Sequence, residues 1–147
     1  MDCEKAVYLL KSFADDGEAE AQYILGYCYF SHRVTVNRDA LAEKYLLKAA
    51  HQAHSDAIRV LGIYYAEKFR EDDSYKIKAM VWGVLAAAHD PILKGLAEQL
   101  LAPDFATLEE LKTVRSIVLE KQTRIEVTGI ELVDEAIAKS KDKLKRK

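Results

Sequence analysis

Apolar positions recur along almost the whole chain at the spacing of one helical face. Ala6, Leu9, Leu10, Phe13 and Ala14 follow the i, i+3, i+4, i+7 rule and predict a first helix. Asp15-Asp16-Gly17 breaks the pattern, and Gly17 suits the left-handed residue that follows a helix. A second face runs through Ala21, Leu25, Cys28 and Tyr29. Weak helix formers from Ser31 to Val36 separate it from a helix starting near Asn37 or Asp39, with Ala42, Tyr45, Leu46, Ala49 and Ala50 inward. Further helices are predicted across Ala57–Phe69 and Tyr75–His89, with an acidic break at Glu71-Asp72-Asp73. Asp90-Pro91 is a helix start, with an N-cap residue and a proline at the first helical position. Ala102-Pro103 ends that helix. Thr107–Glu110 and Thr128–Glu131 both have capping-box spacing and open the last two helices, the first running to about Gln122. Thr123 to Val127 is β-branched and ambiguous, and is open to a short extended link. Nothing alternates strand with helix, so the expected class is all-α.

The pattern also repeats. Ala21-Gln22-Tyr23-Ile24-Leu25-Gly26-Tyr27-Cys28-Tyr29 returns as Ala57-Ile58-Arg59-Val60-Leu61-Gly62-Ile63-Tyr64-Tyr65. Tyr45-Leu46-Leu47-Lys48-Ala49-Ala50 returns as Trp82-Gly83-Val84-Leu85-Ala86-Ala87, with an upstream echo in Tyr8-Leu9-Leu10-Lys11. Leu61 minus Leu25 gives a period of 36; Trp82 minus Tyr45 and Tyr45 minus Tyr8 each give 37. A period of this size marks one supersecondary unit stacked on copies of itself. Gly26 and Gly62 fall in mid-helix, where glycine costs about 1 kcal/mol relative to alanine. Recurrence of that cost predicts a close approach of two helix backbones. The aromatics at Tyr8, Tyr45 and Trp82 are then expected to fill the space around the small residues.

Bulk properties narrow the function classes. The 147 residues make one ordinary domain, half hydrophobic and with two prolines, which can bury a core. A net charge of −2 gives no bulk drive toward nucleic acid. Residues 1–103 carry 12 basic against 15 acidic side chains, whereas Lys139–Lys147 carries six against one. No stretch reaches the roughly 18 apolar residues of a membrane span. Met1-Asp2-Cys3-Glu4 lacks the layout of a secretion signal, which favours a cytoplasmic protein.

The repeat resembles the Sel-one-like repeat family, relatives of the tetratricopeptide repeats. Ala21-Gln22-Tyr23, Leu25-Gly26, Tyr29, Val36, Asp39, Ala42, Tyr45 and Ala49-Ala50 follow that family's order. Ala57, Leu61-Gly62, Tyr65, Ala79, Trp82 and Ala86-Ala87 follow it again. The likeness covers roughly residues 2–100, about two units with a partial one at each side. Glycines that the family places in the loop within each pair are absent, with His32 and Lys68 near those places. The resemblance implies a short α/α solenoid of antiparallel helix pairs over 1–103. It also implies a non-catalytic adaptor or scaffold that binds another protein or peptide, without cofactor or small-molecule substrate. Residues 104–147 lie outside the repeat and are expected to cap it, since terminal repeats need a polar cover. The alternative functions are an inhibitory or immunity-type protein blocking one partner, and a binder of membrane or nucleic acid through the basic end. A short array also has exposed ends through which a homodimer can form.

Candidate chemistry is sparse. The chain has no Gly-x-Ser-x-Gly, no phosphate-cradling glycine loop and no His-Glu-x-x-His, so it does not read as an enzyme. His51 and His54, with His32 and His89, do not make a complete zinc ligand set. Cys3 and Cys28 fall at similar distances from the Asp16-Gly17 turn, on the apolar stripes of their helices. A disulfide is open to them, and some members of the family carry such links between paired helices. Two reduced, buried thiols are favoured by the cytoplasmic assignment. Tyr23, Tyr27, Tyr64 and Tyr75, with Arg59, are the candidate partner-binding residues, because tyrosine supplies stiff contact area at interfaces. The charged end comprises Lys139, Lys141, Lys143, Lys145, Arg146 and Lys147 on an amphipathic helix.

Overall fold

The computed structural model describes residues 2–31, 38–125 and 129–146. The predicted loop from His32 to Val36, the end of the predicted link at Glu126 and Val127, the cap at Thr128, and Lys147 fall outside them, whereas the start of that link, Thr123 to Ile125, continues the helix that precedes it. Helices make up most of the described residues and no strand is found among them. The α-helices are α1 (Cys3–Asp15), α2 (Ala19–Ser31), α3 (Arg38–Ala50), α4 (Ser55–Glu71), α5 (Lys76–His89), α6 (Lys94–Leu101), α7 (Leu108–Ile125) and α8 (Ile130–Lys145). Short 3-10 turns at Asp73–Tyr75 and Pro91–Leu93 lead into α5 and α6. The chain forms two compact units, Met1–Leu61 and Gly62–Lys147, divided within α4.

In the first unit, α2 packs against both α1 and α3. The α1–α2 turn closes with Gly17 at φ +104°, Glu18 N–H donating to Phe13 C=O at 3.0 Å and Gly17 N–H to Ala14 C=O at 3.1 Å. These bonds satisfy carbonyls that the helix end would leave open. Three side chains clasp the same turn. The buried Gln22 donates through Nε2 to Ala14 C=O (3.0 Å), and Gln52 Nε2 donates to Gly17 C=O (2.9 Å). Tyr45 Oη donates to Asp15 Oδ1 at 3.1 Å. Burial and that bond hold the Tyr45 phenol above its ordinary pKa.

The core of this unit joins Ala14, Ala21, Leu25 and Tyr45, with Val7, Leu10, Tyr29 and Leu41 at its edge. Here the structure corrects the predicted face of α1. Val7, Leu10 and Ala14 turn inward, whereas Tyr8, Leu9 and Phe13 are exposed. Tyr45 and Trp82 do fill buried positions, but Tyr8, their upstream echo, does not. Tyr29 of α2 stacks on Tyr45, the rings nearly parallel and their centroids 6.2 Å apart.

Gly26 faces α3 at close range. A β-carbon there would stand 2.6 Å from Leu46 Cγ and 2.9 Å from Leu46 N, so the two helices meet as closely as the glycine predicts. In the second unit, a β-carbon on Gly62 would stand 2.7 Å from Ala86 Cβ and 3.1 Å from Trp82 C=O.

The second unit is built around α5. Its residues Ala79 to Ala87 are all buried, which fits a helix apolar on every side. The helices α6, α7 and α8 pack on it, and α8 also packs on α6 and α7. Gly129 brings the start of α8 against Val84, where a β-carbon would meet Val84 Cγ1 at 2.8 Å. Asp90 caps the 3-10 turn after α5 by accepting from Ile92 N–H at 3.0 Å. Thr107 and Glu110 form the predicted capping box in both directions: Thr107 N–H to Glu110 Oε2 (2.9 Å) and Glu110 N–H to Thr107 Oγ1 (3.1 Å). Lys76 adds an ion pair to Glu110 at 2.9 Å, tying the start of α5 to the start of α7.

Candidate partner-binding face on α2 and α4

Tyr23 and Tyr27 stand one turn apart on α2, with Glu20 a turn before them, so all three share one stripe. The start of α4 meets this stripe. His54, the residue before α4, accepts from Ala57 N–H through Nδ1 at 3.2 Å and so caps the helix. Its Nε2 therefore carries the proton and donates to Glu20 Oε2 at 2.6 Å. With both nitrogens engaged, the ring is fixed in plane. Tyr23 lies over it, centroids 4.7 Å apart and planes inclined by 24°. Tyr27 continues the surface at 6.1 Å from Tyr23 and is 38% exposed. Arg59 completes the patch, its Nη2 donating to Asp56 Oδ1 at 2.8 Å.

Electrostatically the patch is mixed. Burial first, and then the Asp56 carboxylate, push the Tyr23 phenol above its ordinary pKa, while Arg59 pulls it back. Tyr23 is thus a neutral phenol at pH 7, able to donate as well as accept. Glu20 and Asp56 supply acceptors and Arg59 a forked donor, all on a half-exposed aromatic floor. Such a surface suits contact with a polypeptide.

The structure brings together Tyr23, Tyr27 and Arg59 from the sequence expectation. It adds Glu20, His54 and Asp56, which the repeat pattern did not single out. Nothing in the sequence said what the His54 imidazole would touch.

Tyr64 and Tyr75 belong to the second unit. Tyr64 is corrected outright: it is 2% exposed, its ring edge-on to Tyr65 at 5.2 Å, so it has no contact area to offer. Its neighbour Tyr65 is buried as well, stacked near Trp82 at 6.4 Å. Tyr75 is half-buried beside Tyr65, with Lys78 Nζ 5.5 Å from its ring centre.

Cys3 and Cys28 are joined in a disulfide, Cα atoms 5.4 Å apart, linking the start of α1 to the end of α2. Two reduced thiols, the favoured expectation, are not what the structure holds. Along the charged end, Lys139, Lys141, Lys145 and Arg146 are exposed. Lys143 is half-exposed and paired with Asp104, whose carboxyl it holds below the ordinary range. Among the described residues no group of His, Cys, Asp and Glu is arranged to hold a metal ion, and no helix is long and apolar enough to cross a membrane. Comparison of the chain with protein-family models, with curated proteins and with solved structures finds no match.

Proposed function

We propose that this chain is a non-catalytic protein-interaction module. In this reading it is a short helical repeat array of the Sel-one-like kind, capped by α7 and α8, that binds a partner protein through the Tyr23–Tyr27–Arg59 face. Three pairs of features at the repeat period support the architecture. Gly17 and Ala53 both hold positive φ after a helix. Gly26 and Gly62 both sit against a neighbouring helix. Tyr29 lies on Tyr45 as Tyr65 lies on Trp82.

The observation that carries the function is the fixing of Tyr23 by His54. An aromatic already held in place loses little freedom on binding, which is the economy that interface anchors use. Tyr27 and Arg59 flank it with exposed contact area of the residue types that dominate interface energetics.

The test is partner capture by the native chain and by two variants, Tyr27→Ala and Arg59→Ala, with thermal melting of each. The expected result is loss of the captured partner with an unchanged melting temperature. Retention of every partner by both variants would sink the assignment of this face.

A further inference from the structure

The second surface of interest is the outer side of α1. Tyr8, Leu9 and Phe13 are 86%, 62% and 53% exposed, three large apolar side chains on a single helix of thirteen residues. The repeat shows what normally lies on such a face. Tyr8-Leu9 stands 37 residues before Tyr45-Leu46 (45 minus 8), and it is the same dipeptide. In α3 that dipeptide is buried, because α2 lies over it: Gly26 comes against Leu46 and Tyr29 stacks on Tyr45. Trp82, a further 37 residues on, is buried and stacked near Tyr65 in the same way. Tyr8-Leu9 thus has the chemistry of a seat for a helix of the α2 type, and it faces solvent.

We propose that this face of α1 docks an amphipathic helix from another polypeptide, one carrying glycine against Leu9 and tyrosine three residues later against Tyr8. The α2–α3 pair runs antiparallel, Gly26 to Leu46 and then Tyr29 to Tyr45, so the rest of the occupant follows. Phe13 takes the place that the fully buried Ala50 has in α3, so the occupant is small one turn before its glycine. The exposed Lys5 takes the place of Ala42, so the occupant carries a carboxylate one turn beyond its tyrosine. A second copy of this chain does not supply such a helix. Its own α2 is already spent on α3 and bound to α1 by the Cys3–Cys28 link.

This surface is distinct from the Tyr23–Tyr27–Arg59 face, and the experiment keeps them apart. The probe is a side-chain-stapled helical peptide with the α2 sequence Ala19–Ser31 carrying Gln22→Ala, Tyr23→Ala and Cys28→Ser and followed by two glutamates one turn after Tyr29, because so short a segment alone is a marginal helix. Anisotropy titration against the full chain is expected to saturate at one peptide per chain. Leu9→Lys in the protein, or Gly26→Leu in the peptide, weakens binding by at least about tenfold. Tyr27→Ala in the protein leaves it unchanged. Far-UV dichroism of Leu9→Lys confirms that the fold persists, as expected for an exposed position. Absence of saturation at peptide concentrations up to about 1 mM, or equal binding by the Leu9→Lys chain, overturns the proposal. So does a dimer of the native chain that Leu9→Lys dissolves, which would assign the face to self-association.

Discussion

Gly17 and Ala53, 36 residues apart (53 minus 17), hold the same backbone position: each is the left-handed residue after a helix, with φ +104° and +62°. Around Gly17, Glu18 N–H reaches back to Phe13 C=O; around Ala53, His54 N–H reaches back to Ala49 C=O at 3.2 Å. The turn geometry has survived where the glycine has not. An alanine in this conformation carries strain of about 1 kcal/mol or more from its β-carbon.

Ala53→Gly is therefore expected to stabilise the protein. Relief of the strain is partly offset by the greater freedom of glycine in the unfolded chain, leaving a gain of about 0.5–1 kcal/mol. The Ala53 methyl is exposed, so no packing is lost with it. Urea denaturation checks the prediction, and a lower midpoint for the variant contradicts it.

A contrast between two other glycines follows from space alone. At Gly26 an added methyl meets both the Leu46 side chain and its backbone nitrogen, so α2 and α3 have to part. Gly26→Ala gains about 1 kcal/mol of helix propensity and loses more than that to overpacking, for a net cost of about 1–2 kcal/mol. At Gly95 an added methyl meets nothing within 4 Å. Gly95→Ala, near the start of α6, is expected to stabilise by a few tenths to about 1 kcal/mol. Opposite signs in one denaturation series are the expected outcome; equal signs would refute the close-approach account of Gly26.

The same particulars show how far the chain can be read without its fold. The Gly17 turn, the Asp90 cap and the Thr107–Glu110 box were legible because each is a local rule satisfied within a few residues. The glycine contacts were legible because a costly residue recurred at one period. The exposure of Tyr8 and the burial of Tyr64 were not, since both depend on which neighbour covers a position that the pattern marks as apolar either way. The His54 clasp on Glu20 and Tyr23 spans more than thirty residues of sequence, and no local signal encodes its partners.

Stability toward acid is expected to hinge in part on Glu110. Its partial burial raises the pKa, but the Thr107 N–H and the Lys76 ammonium outweigh that and hold the carboxyl below its ordinary value of 4.5. A carboxyl depressed in the folded state contributes stability above the unfolded pKa and loses it as pH falls through the folded value. The denaturation midpoint should fall as the pH drops below the ordinary value of 4.5 toward the lower folded one, and fall less steeply in Glu110→Gln. Glutamine keeps the shape of the capping box, so the comparison isolates the charge. An acid limb of unchanged slope in the variant would place the effect on other carboxyls.

The Cys3–Cys28 bond is the remaining point at which the fold and the cell compartment meet. Its two cysteines are 25 residues apart, and closing a loop of that length removes enough freedom from the unfolded chain to stabilise by about 3 kcal/mol. The bond also fastens the N-terminal end of α1, a helix whose outer face carries three exposed apolar side chains and whose inner face packs through Val7, Leu10 and Ala14. Reduction should therefore loosen α1 before it disturbs α3. Three measurements bear on this. Alkylation of the native, unreduced protein should label neither cysteine. Reductant should lower the thermal midpoint of the native chain while leaving a Cys3→Ser, Cys28→Ser variant, already lowered, where it was. Hydrogen exchange after reduction should quicken first in residues 3–15. Two labelled cysteines before reduction would remove the bond from the native state, and the stability argument with it. A bonded protein whose melting ignores reductant would mean instead that packing of α1 on α2 suffices to hold the helix.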